Sequence, residues 1–422
     1  MTIINPTQMN CGFCGRDHKQ VERENATLYQ GATGFVCTLC VDDIQADRTS
    51  KMADRIRQTT GKLLTPPEIT ARLSDYIVGQ DAAKKVLSVA VFEHYLRTST
   101  DMRAFGDDMQ VEKSNILLVG PTGTGKTHFA RQMAKVLDVA FYKADATSLT
   151  EAGYVGEDVE SILTGLYAAA DGNLERAQKG IVFLDEIDKL RKSGENLSTT
   201  RDVGGEGVQQ SILKLIEGAK VRIQPQGGRR HPAGESIEFD TTNVLFICGG
   251  AFAGIEKLIA ERKAKAAAET AGSSIGFGAT IRTKSDGDAV EKNILHSTTR
   301  GDLTAFGMIP ELLGRLPVLV TLDEVDEDLL VHILTEPKDA ITKQMGRLFL
   351  MQGVALSFTE GALRVIARKA LAEGTGARGL KTILEATLLE TRYSMAADGV
   401  HTVTVAADGD NLVVDADARE AA

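Results

Sequence analysis

Two patterns of apolar and polar positions alternate along most of the chain. Short unbroken apolar runs occur at Ile116–Val119, within GIVFLDEIDK (Gly180–Lys189), at NVLFICGG (Asn243–Gly250) and at Val318–Leu322. Runs of this length read as strands buried on both faces. Between them the apolar residues fall at helical spacing. Phe129, Met133, Ala134 and Leu137 predict a helix over His128–Leu137, and Ala82, Val86, Val89 and Ala90 mark the apolar face of another within Leu73–Arg97. Val208, Ile212, Leu215 and Ile216 give a third that ends at Gly218, and Ile255–Gly272 is a helix pattern rich in Ala, Lys and Glu. Strands alternating with helices predict an α/β fold, a parallel sheet sandwiched by helices. From Asp323 onward the period is mainly helical, with strand candidates near Val354–Phe358, Thr402–Val405 and Leu412–Val414, so a smaller C-terminal domain is expected.

Domain limits follow from breaks in this pattern. Residues 1–50 form a small N-terminal cysteine-bearing segment, and the polar stretch to Pro66-Pro67 reads as a partly helical, mobile linker covering 51–67. Residues 68–320 form the large α/β domain and 321–422 the small one. A chain of 422 residues is too long for one core. Its hydrophobic content of 43% and charged content of 25% fit a soluble globular protein, and a net charge of -10 argues against a globally basic nucleic-acid binder. No apolar run approaches the ~18 residues of a membrane span. The start, MTIINPTQMN, lacks a signal or transit pattern, so a cytoplasmic protein is expected.

Candidate chemistry concentrates where pattern and glycine meet. The run Ile116–Val119 breaks into Gly120, Pro121, Thr122, Gly123, Thr124, Gly125, Lys126 and Thr127, which is G-x-x-x-x-G-K-T between a predicted strand and a predicted helix. Such a loop turns backbone N–H groups toward a polyphosphate, Lys126 meets the β/γ oxygens, and Thr127 holds Mg²⁺. Some sixty residues on, Asp185 at a strand tip would complete the Mg²⁺ shell, and Glu186 would orient the water that attacks ATP. Cys11-x₂-Cys14 and Cys37-x₂-Cys40, 22 residues apart, can supply four thiolates to one Zn²⁺. Two disulfides would be out of place beside a cytosolic nucleotide site. His18 reads as a surface residue and Cys248 as a small buried one.

Other segments admit two readings. The Ile77-Val78-Gly79-Gln80 turn precedes a core helix and is either a cap or an adenine-contacting segment. Tyr154, between Gly153 and Gly156, is either a local packing contact or a residue presented to a passing ligand. Arg229-Arg230-His231 stands in a basic glycine-flanked loop, and Ile275-Gly276-Phe277 must be tucked away or offered to a partner. Arg315 is either a rim salt-bridge residue or a finger reaching a neighbour's γ-phosphate. Arg378 opens a helix and would face an anion.

Taken together these motifs resemble the ClpX family, the AAA+ unfoldases that feed proteins to a ClpP-type peptidase. The resemblance runs from about Cys11 to Val405 and rests on GPTGTGKT, FLDEID, YIVGQDAAKKVL, PELLGRLP, GARGL, GYVGEDVE, TRDVGGEGVQQ and IGF, after a four-cysteine segment. It implies an AAA+ fold and a homo-hexamer using ATP, Mg²⁺ and Zn²⁺. Tyr154 and Val155 would grip substrate in an axial pore, with Arg229, Arg230 and His231 at its entrance. Ile275, Gly276 and Phe277 would dock on the peptidase, Arg315 would act in trans, and Arg378 would sense nucleotide. Tagged proteins and possible adaptors are the implied clients, with no membrane or nucleic acid. The chain departs from the family in a longer gap between its cysteine pairs. It also has Arg-Arg-His where Arg-Lys-His is common, a change that bears on tag recognition because Arg and Lys read carboxylates differently.

Overall fold

The computed structural model describes residues 10–31, 34–60, 63–99, 111–150, 157–191, 205–224, 236–270, 294–398 and 400–418. The described residues divide into two compact units. The first runs through Leu63 and takes in the end of the Asp81–Ser99 helix from Tyr95; the second holds Leu64–His94 and everything from Glu112 onward.

In the first unit a two-stranded antiparallel ladder, β1 (Leu28–Gln30) and β2 (Phe35–Cys37), precedes a helix over Thr38–Thr60, which bears out the partly helical expectation for that stretch. A short helix, His18–Arg23, is closed by a capping box. The Asp17 carboxylate accepts the Gln20 N–H at 2.8 Å, and the Gln20 side chain accepts the Asp17 N–H. Among the described residues, Val21 is buried with Cys11, Cys37 and Cys40 in one small cluster.

The second unit is organised by five parallel strands in the order β11-β3-β10-β7-β4, with β3 (Ile116–Val119), β4 (Phe141–Asp145), β7 (Ile181–Asp185), β10 (Leu245–Gly250) and β11 (Val318–Thr321). Every residue of β3, β7 and β10 is buried, as unbroken apolar runs require when helices cover both faces. Smaller ladders flank this sheet: β5 (Leu149–Thr150) with β6 (Glu157–Asp158), and the hairpin of β8 (Lys220–Ile223) with β9 (Ile237–Asp240). Asn115 ties three elements together. Its amide donates to the Arg315 carbonyl at 3.0 Å and its oxygen accepts the Phe246 N–H at 3.2 Å.

The helix after β3 spans Lys126–Leu137 and buries Phe129, Met133 and Ala134 of the face expected from spacing, with Ala130 added, while Leu137 is only partly buried. The Asp81–Ser99 helix does not follow its expected face. Of the expected residues Ala90 is buried but Ala82, Val86 and Val89 are exposed, and Ala83, Leu87 and Val91 are buried instead. Small and branched apolar residues lie all around this helix, so spacing alone did not select the buried stripe.

Beyond β11, helices Glu327–Thr335, Glu360–Ala372 and Ala377–Thr387 pack through Leu330, Leu334, Ile366, Leu380 and Leu384. They are joined by a three-stranded sheet of β12 (Ala355–Phe358), β13 (Val400–Asp408) and β14 (Asn411–Ala418). The last two are longer than the apolar patterns suggested and form an antiparallel hairpin through Gly409.

Candidate functional site

The carboxyl ends of β3 and β7 open into a cavity of about 630 Å³. Its floor is the loop 122–127; Asp185, Glu186, Asp188 and Lys189 line one side, and Tyr76, Ile77, Val78 and Gln80 another. The C-terminal helices supply a third wall, with Val325, Leu329, Ile333 and Ile341 as its apolar part and Arg378 beside it. An apolar slot leading to a polar, glycine-lined end suits a nucleoside polyphosphate, base in the slot and phosphates at the loop.

Glycine is needed in this loop for two separate reasons. Gly123 and Gly125 have φ of 86° and 90°, the left-handed region. A Cβ on Gly123 would also stand 2.7 Å from the Thr375 carbonyl oxygen and 3.2 Å from the Gly376 Cα. The turn that launches the Arg378 helix therefore rests directly on the loop.

Lys126 is buried, and its Nζ donates to the Gly120 carbonyl at 2.6 Å and the Pro121 carbonyl at 2.8 Å. Burial holds its ammonium below the usual lysine value, and Arg378 pushes the same way while Asp185 and Asp188 oppose. The Thr127 hydroxyl donates to Asp185 Oδ2 at 3.0 Å, bringing together the two residues expected to share a metal. Hydroxyl and carboxylate oxygens are hard donors of the kind Mg²⁺ takes, so the pair fits that ion.

Glu186 has φ of 59°, a conformation that costs a non-glycine residue about 1–3 kcal/mol. The turn separates adjacent carboxylates: Asp185 faces Thr127, while Glu186 is exposed on the cavity wall. The Glu186 N–H donates back to Asp185 Oδ1 at 3.1 Å. Asp188 is buried and accepts the N–H groups of Ala251 and Phe252, both at 3.2 Å, which locks the end of β10 to this turn.

Gln80, left-handed at φ 57°, closes a reciprocal pair with the Asp323 backbone. Its Nε2 donates to the carbonyl and its Oε1 accepts the N–H, both at 2.9 Å. The segment that carries Ile77 and Val78 is thereby fastened to the start of the C-terminal region. Sequence reading missed the tie of Gln80 to Asp323, the role of Asp188, and the apolar wall of Leu329, Ile333 and Ile341. Their partners lie far along the chain, and only the apolar helical period of Glu327–Thr335 hinted at them.

Arg315 does not line the cavity. It is half-exposed, with Nε 3.0 Å from Glu217 Oε1 and an Nη1 3.9 Å from Glu112. The salt-bridge reading is the arrangement present within one chain.

In the first unit the four sulfurs of Cys11, Cys14, Cys37 and Cys40 lie within 4.8 Å of one another. Cys11 and Cys40 are 3.8 Å apart, and Cys14 and Cys37 3.7 Å. A Zn–S bond of about 2.3 Å in a tetrahedron puts sulfurs about 3.8 Å apart, whereas a disulfide needs about 2.05 Å, so this donor set fits zinc. All five cysteines are free thiols. Cys248 is fully buried and its thiol is pushed up to about 12, as an inert core residue requires. His18 is exposed and faces Glu22, outside the sulfur cluster.

Tyr154, Val155, Arg229, Arg230, His231, Ile275, Gly276 and Phe277 lie outside the described residues.

Fold and site together define a P-loop ATPase of the AAA class. The family model described as AAA domain (Cdc48 subfamily) matches residues 111–319, and the C-terminal, D2-small domain of ClpB protein matches 325–403. Three curated relatives, each named ATP-dependent Clp protease ATP-binding subunit ClpX, are similar to nearly the whole chain. The protein from Bacteroides thetaiotaomicron is 45% identical over 399 residues, covering 93% of this chain and 92% of its own length. That from Treponema denticola is 44% identical over 384 residues (91% and 89%), and that from Bacteroides fragilis 45% over 395 (92% and 91%). The chain belongs to the ClpX family.

Proposed function

We propose that the chain couples ATP hydrolysis to protein unfolding, threading tagged polypeptides through the axis of a six-membered ring of its own copies and passing them to a ClpP-type peptidase. The observation that carries this reading is the contact of Gly123 with Thr375 and Gly376. The phosphate loop and the C-terminal helices share one cavity, so a change at the γ-phosphate bears directly on the position of those helices. The relatives' shared name, an ATP-binding subunit of a protease, supports the same reading.

In this account the backbone of 120–125 and Lys126 hold the phosphates, and Ile77 and Val78 hold the base. Thr127 and Asp185 would hold Mg²⁺, which when bound neutralises charge on the phosphate oxygens. Glu186 orients the attacking water, Arg378 reads the nucleotide within the chain, and Arg315 reaches the γ-phosphate held by an adjacent copy. Tyr154 and Val155 grip substrate, Arg229, Arg230 and His231 meet it at the entrance, and Ile275, Gly276 and Phe277 dock the peptidase. Cys11, Cys14, Cys37 and Cys40 hold Zn²⁺, which organises a unit with little apolar core of its own. Adaptors would dock there. The compartment we assign is the cytoplasm, where thiols stay reduced, in keeping with five free cysteines. Among the described residues no helix is long and apolar enough to cross a membrane.

Mechanical work is needed because small domains open spontaneously at rates as low as about 10⁻⁶ per second. The test is Tyr154→Ala with a tagged, stable fluorescent substrate: ATP turnover should persist while loss of fluorescence stops. Unfolding at the wild-type rate would sink the threading account.

A further inference from the structure

One charged contact at the phosphate end of the cavity is absorbed by none of these roles. Lys143, on the edge strand β4, places its Nζ 2.9 Å from Asp185 Oδ2, the oxygen that also accepts the Thr127 hydroxyl. Register explains the reach. Asp145 pairs with Asp185 across β4 and β7, and Lys143, two residues earlier, shares the Asp145 face of the strand. Asp145 is engaged in its own turn, accepting the Thr147 N–H at 2.9 Å and hydroxyl at 2.6 Å. Lys126 directs its ammonium to two backbone carbonyls. The ammonium in direct contact with Asp185 therefore comes from the sheet edge and not from the phosphate loop. The Asp185 side chain is 11% exposed and that of Lys143 38%, so water and salt screen this pair less than one on open surface.

We propose that Lys143 is a positioning residue that sets how strongly nucleotide binding depends on divalent metal; this rests on reading Thr127 and Asp185 as the metal-holding pair. A carboxylate beside a polyphosphate repels it unless a cation lies between or alongside. Lys143 supplies one positive charge there whether or not metal is present. Nucleotide free of metal is thereby tolerated, and a divalent ion must share its carboxylate with an ammonium, which weakens its hold. A neutral side chain of similar length reverses both effects.

Lys143→Met and Lys143→Arg in the full chain test this. The readout is equilibrium affinity for a fluorescent, slowly hydrolysed ATP analogue, measured in EDTA and across a Mg²⁺ titration. Lys143→Met should weaken metal-free binding about fivefold and lower the half-saturating Mg²⁺ by about the same factor, the scale of one partly exposed ion pair. Lys143→Arg should keep both near wild type. A Met variant identical to wild type in both measurements overturns the proposal, as does an Arg variant that behaves like Met. Should wild-type affinity be indifferent to Mg²⁺, the reading of Thr127 and Asp185 fails and takes this proposal with it. A wild type that responds to Mg²⁺, matched by Lys143→Met, removes Lys143 alone.

Discussion

Two arginines of this chain are proposed for the same phosphate chemistry, and the fold treats them differently. Arg378 stands in the first turn of Ala377–Thr387, on a turn packed against Gly123, and lines the cavity beside Lys126. Arg315 ends the short helix Pro310–Gly314 at the rim, where its partners Glu217 and Glu112 have side chains 42% and 87% exposed. Ion pairs that exposed contribute at most about 1 kcal/mol. One cation is built into the site, whereas the other is parked on weak surface contacts and can be given up to another molecule. In the function proposed above, such a site would have an internal half fixed by folding and an external half supplied by an adjacent copy.

This contrast can be broken by substitution. The largest effect is expected for Arg315→Ala, a loss of about a thousandfold or more in ATP turnover with nucleotide affinity unchanged, because a finger acts on the transition state. Equal loss of affinity, read by equilibrium titration, would move Arg315 into the internal half. Glu186→Gln should cost about a hundredfold or more in turnover while ATP still binds. Arg378→Ala should weaken nucleotide affinity about tenfold along with turnover, since it acts from within the chain; an unchanged affinity would erase the distinction. Gln80→Ala removes both hydrogen bonds to the Asp323 backbone, each contributing about 0.5–1.5 kcal/mol, and should lower the melting temperature by a few degrees. Smallest should be the effect of removing metal from the cysteine cluster. Cys37→Ser, or a zinc-selective chelator with Mg²⁺ kept in excess, should prevent or reverse zinc binding, seen by metal analysis, and leave ATP turnover within about twofold.

Much of the internal half was legible before folding was considered. Local sequence dictates the phosphate loop, because glycines at 123 and 125 permit backbone angles that other residues avoid, and buried strands must be apolar throughout. The cysteine pairs were legible for the same reason: ligand spacing is a local property. What escaped was long-range or two-sided. The buried face of Asp81–Ser99 was misread because Val86 and Val89 compete with Leu87 and Val91 for the same helical period, and burial is decided by what packs against them. Strands β4, β8 and β9 carry polar residues at alternate positions and edges, which blurs their apolar signal. Nothing in the sequence singles out Lys143, since only the register of β4 on β7 brings it to Asp185.

The most direct test of a site completed from outside is to mix two inactive variants, Glu186→Gln and Arg315→Ala, and measure ATP turnover. A Glu186→Gln copy would lend its Arg315 to a neighbour whose Glu186 is intact, so the mixture should regain well over the sum of its parts. Turnover that stays at that sum at every mixing ratio, in assemblies shown to contain both chains, would contradict the account.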